Sequence, residues 1–373
     1  HSGAHRDGRH DDRPGTLAAS VEQCAPAVQP LLAAGEDDVV DEQDRVRCLW
    51  GIAFCVFAVS AQGGQALGTL DATQRTAQQW LVRMQEASRS RNYTGTVVEL
   101  HASGAMAVSR VWHAVRDGQQ FERIDALDGA ASTVYRHDGV VRTFMHQSRT
   151  VRTERRDLLQ APPGPPGDLF VPPYTAHLLG QERVAGMDAD VVWFEPRDAL
   201  RFGYRFWSER ASGLVLRVQT LAPGGRVLEQ TAFSAVQLDA GAEAERGARK
   251  GFDLAGYQDR SVRMRATTAS EQGWGLREPV DGFVPVGCYL HVPVSSGPGD
   301  ERLQCFFSDG LVTVSLFIER QASRHNAVAV VQRARGAAHV LIKQLNDGFW
   351  LTAVGEVPPA TLALFADRLV RLR

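Results

Sequence analysis

The chain has 373 residues, 41 of them Lys or Arg and 43 Asp or Glu, with a formal net charge of −2 and 44% hydrophobic residues. Near-neutral charge argues against a dedicated nucleic-acid binder, which would carry a concentrated basic face. The length leaves room for two domains.

Residues 1–44 are acidic and poor in aromatics, with clusters such as Glu36-Asp37-Asp38 and Asp41-Glu42, and no Met precedes Met84. Such a segment buries too little apolar surface to offset its ordering entropy. It is expected to be a non-native leader from an over-extended gene start, or a disordered cytoplasmic leader. Residues 45–66 then have the anatomy of an export signal: Arg45 and Arg47 precede an apolar run from Cys48 to Ala61. Its fourteen residues fall short of the roughly 20 needed to span a bilayer. Val59 and Ala61 suit cleavage after Ala61, with Gly64 and Ala66 as the second choice, and Phe54 before Cys55 is too large for a lipid-anchor motif. Cleavage after Ala61 removes five basic and ten acidic residues, leaving a net charge of about +3, and leaves two of the five cysteines, Cys288 and Cys305. An even pair in an oxidising compartment reads as a disulfide. Two free core thiols or a metal site are the rival readings.

Residues 69–240 form the first expected domain. Asp71 and Gln74 have capping-box spacing, and Ala77, Trp80, Leu81, Met84 and Ser88 follow at helical intervals. From Tyr93 the pattern changes to short strands, with turn signals at Ser103-Gly104, Asp117-Gly118, Asp128-Gly129 and Asp138-Gly139, the mark of an antiparallel sheet. A Pro-rich break at Ala161 to Gly167 and a short helical piece around Leu169 to Leu179 interrupt the strands, which resume at Glu182 and run to Leu238. A helix followed by a long meander suggests an open antiparallel barrel wrapped around the helix, an architecture that can hold a cavity. Trp80, Tyr93, Phe144, Trp193, Phe206 and Trp207 are its candidate lining; simple core filling is the plain alternative. Residues 241–256, rich in Ala, Gly and charge and without apolar periodicity, read as a linker. Residues 257–373 read as a smaller α+β domain: Val312, Val314, Leu316 and Ile318 alternate with Thr313 and Ser315, and a helix after Pro358-Pro359 carries the apolar stripe Leu362, Phe365, Ala366, Leu369 and Val370.

Motifs for catalysis or nucleotide binding are lacking: the chain has no HExxH, GxSxG, Walker-type loop, CxxC or GxGxxG after a strand. His101, His113, His137 and His146 fall on neighbouring strands at spacings that match no common ligand set, so exposed strand histidines are the expectation. Glu122, Asp125 and Asp128 could supply a carboxylate pair but read better as a solvated sheet edge. Neither an enzyme nor a resident cofactor or metal is expected.

The runs SRNYTGTVV (Ser90 to Val98), ERIDALDGAASTVYR (Glu122 to Arg136), YRFWSERASGLVLRVQTLAPGGRVLEQTAF (Tyr204 to Phe233), GFVPV (Gly282 to Val286), SDGLVTVSLFIE (Ser308 to Glu319) and VGEVPPATLALFADRL (Val354 to Leu369) resemble the MucB/RseB family. The likeness extends from about Thr69 to Arg373. It implies a LolA/LolB-like open barrel with an apolar cavity, joined to a smaller C-terminal α+β domain. It also implies a periplasmic negative regulator of the sigma-E envelope-stress response. Such a protein binds the periplasmic domain of a membrane anti-sigma factor, shields it from proteolysis, and lets go when lipid or lipopolysaccharide acyl chains bind. Ser308, Asp309 and Gly310, with the loop Val354, Gly355, Glu356, Val357, Pro358 and Pro359, are the candidate partner surface, or simply turns. A lipid or lipoprotein carrier without a regulatory partner is the runner-up, and self-association is left open. The resemblance does not itself account for Cys288 and Cys305, and the leader before Arg45 departs from the family pattern.

Overall fold

The computed structural model describes residues 71–155, 173–250, 254–260, 262–293, 301–320 and 330–372. The leader, the export signal and the Pro-rich break lie outside the described residues. Helix α1 (Ala77–Ser90) is capped one turn later than its sequence suggests. Thr76 Oγ1 accepts from Gln79 N at 3.3 Å, and Gln79 Oε1 accepts from Thr76 N at 2.9 Å. Asp71 instead precedes a short 3-10 turn, Ala72–Gln74, without a side-chain cap. Both tetrapeptides fit the capping pattern, but only a start at Thr76 puts Ala77, Trp80, Leu81, Met84 and Ala87 together on the buried stripe.

The strands after α1 are β1 (Tyr93–His101), β2 (Met106–Arg116), β3 (Gln119–Ala126), β4 (Ser132–His137), β5 (Val140–Met145), β6 (Thr150–Arg155), β7 (Tyr174–Val184), β8 (Met187–Pro196), β9 (Gly203–Glu209), β10 (Val215–Leu221) and β11 (Val227–Leu238). The hairpin turns do what their residues dictate. At Asp117-Gly118, φ values of 52° and 77° place both central residues in the left-handed region that tight antiparallel turns require. The segment expected to be helical up to Leu179 is strand from Tyr174 onward, because Tyr174, Ala176 and Leu178 alternate with exposed or half-exposed neighbours and pair with β8. Strands β1 to β6 form a meander on one side of β1, and β11 to β7 form another on its other side. The consecutive strands β6 and β7 therefore stand at opposite ends of the sheet order, which leaves the barrel unclosed among the described residues.

The expected linker is in its first half a helix, α2 (Gly241–Arg249), which buries Ala244 and Ala248 against Ala114 and is flanked by Trp112 and Phe121. Small residues at i and i+4, read from sequence as flexibility, serve close packing: a Cβ on Gly247 would lie 2.1 Å from the Trp112 ring. Strand β12 (Gln258–Asp259) then pairs in parallel with β6.

The second sheet is built from β13 (Val262–Thr267), β15 (Val284–Pro293), β16 (Arg302–Ser308), β17 (Thr313–Arg320), β18 (Val330–Arg335), β19 (Ala338–Gln344) and β20 (Phe349–Gly355), in the order β13-β15-β16-β17-β20-β19-β18. Short β14 (Trp274–Leu276) pairs with β21 (Leu369–Arg371) at the end of helix α3 (Pro359–Arg368). Pro359 at the first turn of α3 is preset for a helical start, and Leu362, Phe365 and Ala366 are buried. Val314, Leu316 and Ile318 of β17 belong to the core as expected, but the intervening Ser315 and Phe317 are buried as well, because this strand is covered on both faces. Cys288 and Cys305 face each other across β15 and β16 and are joined by a disulfide, with Cα atoms 4.1 Å apart. The whole is an α+β fold with a large sheet and a smaller C-terminal domain.

His291, on β15, is held to about 4 from the ordinary 6.5, chiefly by burial, with Arg152 of β6 adding to the effect and Gln304 Oε1 at 2.6 Å opposing it. The folded chain thus resists a proton that the unfolded chain takes up below about pH 6.5, so this contribution to stability is present at neutral pH and lost as pH falls toward 4. Urea denaturation at pH 7 and 4.5 is expected to show that His291→Gln removes about 2 kcal/mol of the acid-induced loss. Equal losses in the two proteins would contradict this.

Candidate functional site

Register decides which side chains share a face. Phe206 pairs with Val218, Val218 with Thr231, and Thr231 with Glu99. Tyr93, Val97 and Phe206 therefore lie on one face, together with Val111, Ile124 and Phe233, and they share a core with Trp80, Leu81 and Met84 of α1. Phe144, Trp193 and Trp207 fall on the opposite face of their strands. Phe144 meets Tyr135 and Tyr257 edge-on at 5.7 and 5.4 Å. Trp193 lies against His177 at 5.3 Å. Trp207 donates through Nε1 to Glu182 at 2.8 Å and carries Arg217 over its ring at 4.9 Å. The six candidate lining residues thus divide between two faces, since neighbours such as Phe206 and Trp207 cannot point the same way along a strand. An open groove of about 490 Å³, lined among others by Arg91, Asp188, Arg210 and Asp239, includes none of them.

Where the two sheets meet, the second sheet presents the Ser308–Gly310 turn. Asp309 is fully buried there. Its Oδ2 accepts from Arg201 Nε at 2.9 Å and from the Tyr174 hydroxyl at 3.1 Å, while Oδ1 accepts from the backbone N–H of Leu311 at 2.9 Å and of Val312 at 2.8 Å. Arg201, 1% exposed, also reaches Asp198 and donates to the Asp281 carbonyl at 3.0 Å, with Phe283 stacked 4.9 Å away. Gly282 permits this approach: its φ is +74°, and a Cβ there would sit 2.7 Å from Arg201 Nη2. Burial pushes the Asp309 carboxyl up against the pull of its four donors, and pushes the Tyr174 phenol well above its ordinary value. Thr361 of α3 donates to the Leu200 carbonyl at 2.7 Å, adding a second tie.

The candidate partner residues therefore sit largely inside. Asp309, Val354, Gly355 and Val357 are buried, Ser308 and Gly310 are half-buried with Ser308 Oγ closing its own turn on Val312 O, Glu356 and Pro358 are partly exposed, and Pro359 is exposed. In sequence, Ser-Asp-Gly reads as an outer turn; only the tertiary contact supplies the buried Arg201 that draws Asp309 inward.

Beside this contact, Glu99, His101 and Glu229 share a face and lie close together. His101 Nε2 is 2.8 Å from Glu99 Oε1, and Nδ1 is 3.3 Å from Glu229 Oε2. The turn between β18 and β19 covers them, with Ala337 N donating to Glu229 Oε2 at 3.4 Å. Although Glu356 is partly exposed as a residue, its carboxyl is turned away from water, and that burial with the neighbouring Glu229 and Glu99 pushes it well above the usual range; burial with Glu99 likewise raises Glu229.

The other histidines and acids serve structure. His101 and His113 are buried rather than exposed; His113 Nδ1 lies 2.8 Å from the Arg91 carbonyl, with its ring stacked on Tyr93 at 4.9 Å. His146 bridges Thr133 and Tyr257. The exposed ring of His137 stacks on Phe121. Glu122 is buried against Arg136 at 2.9 Å, Asp125 pairs with Arg123, and Asp128 caps the Val108 N–H at 3.0 Å. Glu122 and Asp125 have opposite strand parity, so they form no acid–base pair. Arg201, Tyr174 and Glu229 carry no motif; the Glu99-Leu100-His101 spacing, which puts two ligating groups on one strand face, was the one legible sign.

Comparison with known proteins places these features in a family. The profile described as the MucB/RseB N-terminal domain matches residues 76–250, and that of the MucB/RseB C-terminal domain matches residues 268–370. The chain is 31% identical over 312 residues to the sigma factor AlgU regulatory protein MucB of Pseudomonas aeruginosa, covering 79% of this chain and 92% of that protein. It is 23% identical over 320 residues to the sigma-E factor regulatory protein RseB of Escherichia coli K12, covering 84% and 96%. The structure of the Pseudomonas aeruginosa MucA/MucB complex contains a chain with a TM-score of 0.60 and 28% identity, covering 79% of this chain and 98% of that one. MucB in complex with MucA(peri) gives 0.59 and 28%, covering 80% and 99%. With both profiles in order along one chain, and the two sheets they span joined through Arg201 and Asp309, this protein belongs to the MucB/RseB family.

Proposed function

We propose that this chain is a periplasmic negative regulator of the sigma-E envelope-stress response. It binds the periplasmic part of a membrane anti-sigma factor and protects it from the protease that begins its degradation. Lipid or lipopolysaccharide acyl chains release that hold. The observation that carries the reading is the likeness to the MucB chain solved with MucA(peri), which extends over 99% of that chain and so includes both sheets. In this mechanism the two ligands favour different arrangements of the two domains, so each weakens the other's binding by linkage. The relatives are named as regulatory proteins, and the acids that sequence alone offered for chemistry have structural partners: Glu122 with Arg136, Asp125 with Arg123 and Asp128 with the Val108 N–H.

Calorimetric titration of the anti-sigma periplasmic segment into the full chain tests this directly. Saturable binding is expected, weakened about 5- to 150-fold by an acyl-bearing lipid, the range typical of coupled sites. Equal affinity with and without lipid would reject the switch while keeping the partner. No binding at all, together with lipid transfer between vesicles, would leave the carrier reading in its place.

A further inference from the structure

We propose that the Cys288–Cys305 bridge is a thiol-sensitive clasp: it holds in shape the socket of the second domain that receives Arg201, so the oxidation state of the pair sets how firmly the two domains are joined. The socket has two walls. One is Asp281 to Phe283, where the Asp281 carbonyl accepts from Arg201 Nη2 at 3.0 Å and the Phe283 ring lies 4.9 Å from the guanidinium. The other is Asp309, which accepts from Arg201 Nε at 2.9 Å. The first wall runs directly into β15 and the second follows directly from β16, so the pairing of these two strands fixes the width of the socket.

That pairing is weakest where the socket depends on it. Between the Val284–Ser308 pair beside the socket and the Cys288–Cys305 pair, the register shifts between Pro285 and Gly287. Such an irregularity leaves a residue out of the ladder, and Pro285 has no N–H to contribute to it. Along its other edge β15 pairs with β13 from Cys288 to Pro293, so among the described residues Val284 to Gly287 have β16 as their only strand neighbour. Val284 is 38% exposed, which leaves little packing to hold it. Cys288 is thus the first residue of β15 with a strand on each side, Thr267 and Cys305, and the bridge anchors the loose stretch at that point. Phe283 and Phe307 also pack on Phe365 of α3 at 5.5 and 5.1 Å, an apolar contact that survives reduction. The reduced socket is therefore loosened rather than unfolded.

The chemistry is a two-electron exchange with a dithiol protein reductant. One of its thiolates attacks Sγ of Cys288, which is half-buried, whereas Cys305 is 3% exposed. The Cys288–Cys305 bond breaks, a mixed disulfide forms on Cys288, and Cys305 leaves as a thiolate with the bonding pair and takes up a proton. The second thiolate of the reductant then displaces Cys288, which is protonated in turn. The chain ends with two thiols and the reductant as a disulfide; the reverse sequence, from an oxidant protein disulfide, closes the clasp. In a regulator of the kind proposed above, opening the clasp weakens the hold on the anti-sigma segment. That last step rests on the proposed function, and the clasp itself does not.

Hydrogen exchange of the full chain, oxidised and after treatment of the folded protein with excess dithiothreitol, tests the clasp without any partner. Intact mass first confirms the gain of two hydrogen atoms. Reduction is expected to speed exchange about tenfold or more at the Leu311 and Val312 amides, which Asp309 holds, and to leave those of β8 and β9 unchanged. The double variant Cys288→Ser, Cys305→Ser is expected to exchange like the reduced wild type and to ignore the reductant. The periplasmic anti-sigma segment is expected to bind the reduced chain about 5- to 150-fold more weakly than the oxidised one. A bridge that stays intact in the folded chain under dithiothreitol overturns the proposal. So does reduction without faster exchange at Leu311 and Val312, or with the same acceleration at every amide. Equal binding of the segment to both forms severs the clasp from partner control; binding to neither, with the exchange result as expected, rejects the proposed function and leaves the clasp standing.

Discussion

Asp309→Ala is expected to lower the unfolding free energy by about 3–5 kcal/mol, the loss typical when one member of a buried ion pair is removed. The size follows from what is lost: both side chains of the Arg201–Asp309 pair are fully buried, so the variant removes the buried carboxylate from a guanidinium left, among the described residues, with the half-exposed Asp198, the Asp281 carbonyl and the Phe283 ring. It also leaves the Leu311 and Val312 N–H groups without their acceptor, each a further desolvation cost. Because Tyr174 opens β7 and Arg201 lies in the β8–β9 loop, both of the first domain, while Asp309 lies in the β16–β17 turn of the second, the loss should appear as decoupling, with urea denaturation showing separate transitions. The double variant Arg201→Met, Asp309→Leu should recover much of the stability, since an apolar pair of similar volume avoids the unpaired charge. A single-variant loss below about 1 kcal/mol would remove this contact from the account of how the domains are held.

Replacing Cys288 and Cys305 by serine is expected to cost about 3 kcal/mol, the chain-entropy value for a loop of this size. The bridge spans 17 positions of sequence, part of it between the facing strands β15 and β16, and Cys305 is 3% exposed within the core. Serine hydroxyls at these positions would add the burial of polar atoms to the loss of the cross-link. Thermal unfolding with and without reductant should reproduce the shift in the wild type and leave the double serine variant unmoved. Intact mass after non-reducing purification should lack two hydrogen atoms relative to the reduced chain; two free thiols would contradict the bridge.

Much of the fold was legible because its elements are locally consistent. Alternation in β10, hairpin signals such as Asp117-Gly118, and the stripe Leu362, Phe365 and Ala366 each state their own structure. The misreadings share one cause. Gly241–Arg249 looked like a flexible linker because its small residues have no apolar signal until the Trp112 and Phe121 surface gives Ala244 and Ala248 something to pack on. Tyr174–Leu179 looked helical because nothing local announces that its partner is β8. The candidate site was least legible. Asp309 is polar in sequence and turn-forming by type, and only a residue 108 positions away makes it a buried anchor.

Sequence by itself determined the antiparallel strands, both helices with apolar stripes and the family, because each rests on order, spacing or composition that survives without three dimensions. Tertiary structure decided which aromatics share a face, that Asp309 points inward, and that Glu99 and Glu229 flank His101. Those outcomes depend on strand register and on burial, and both are set by partners distant in the chain, whose desolvation gives the same residue type a different energy in each place.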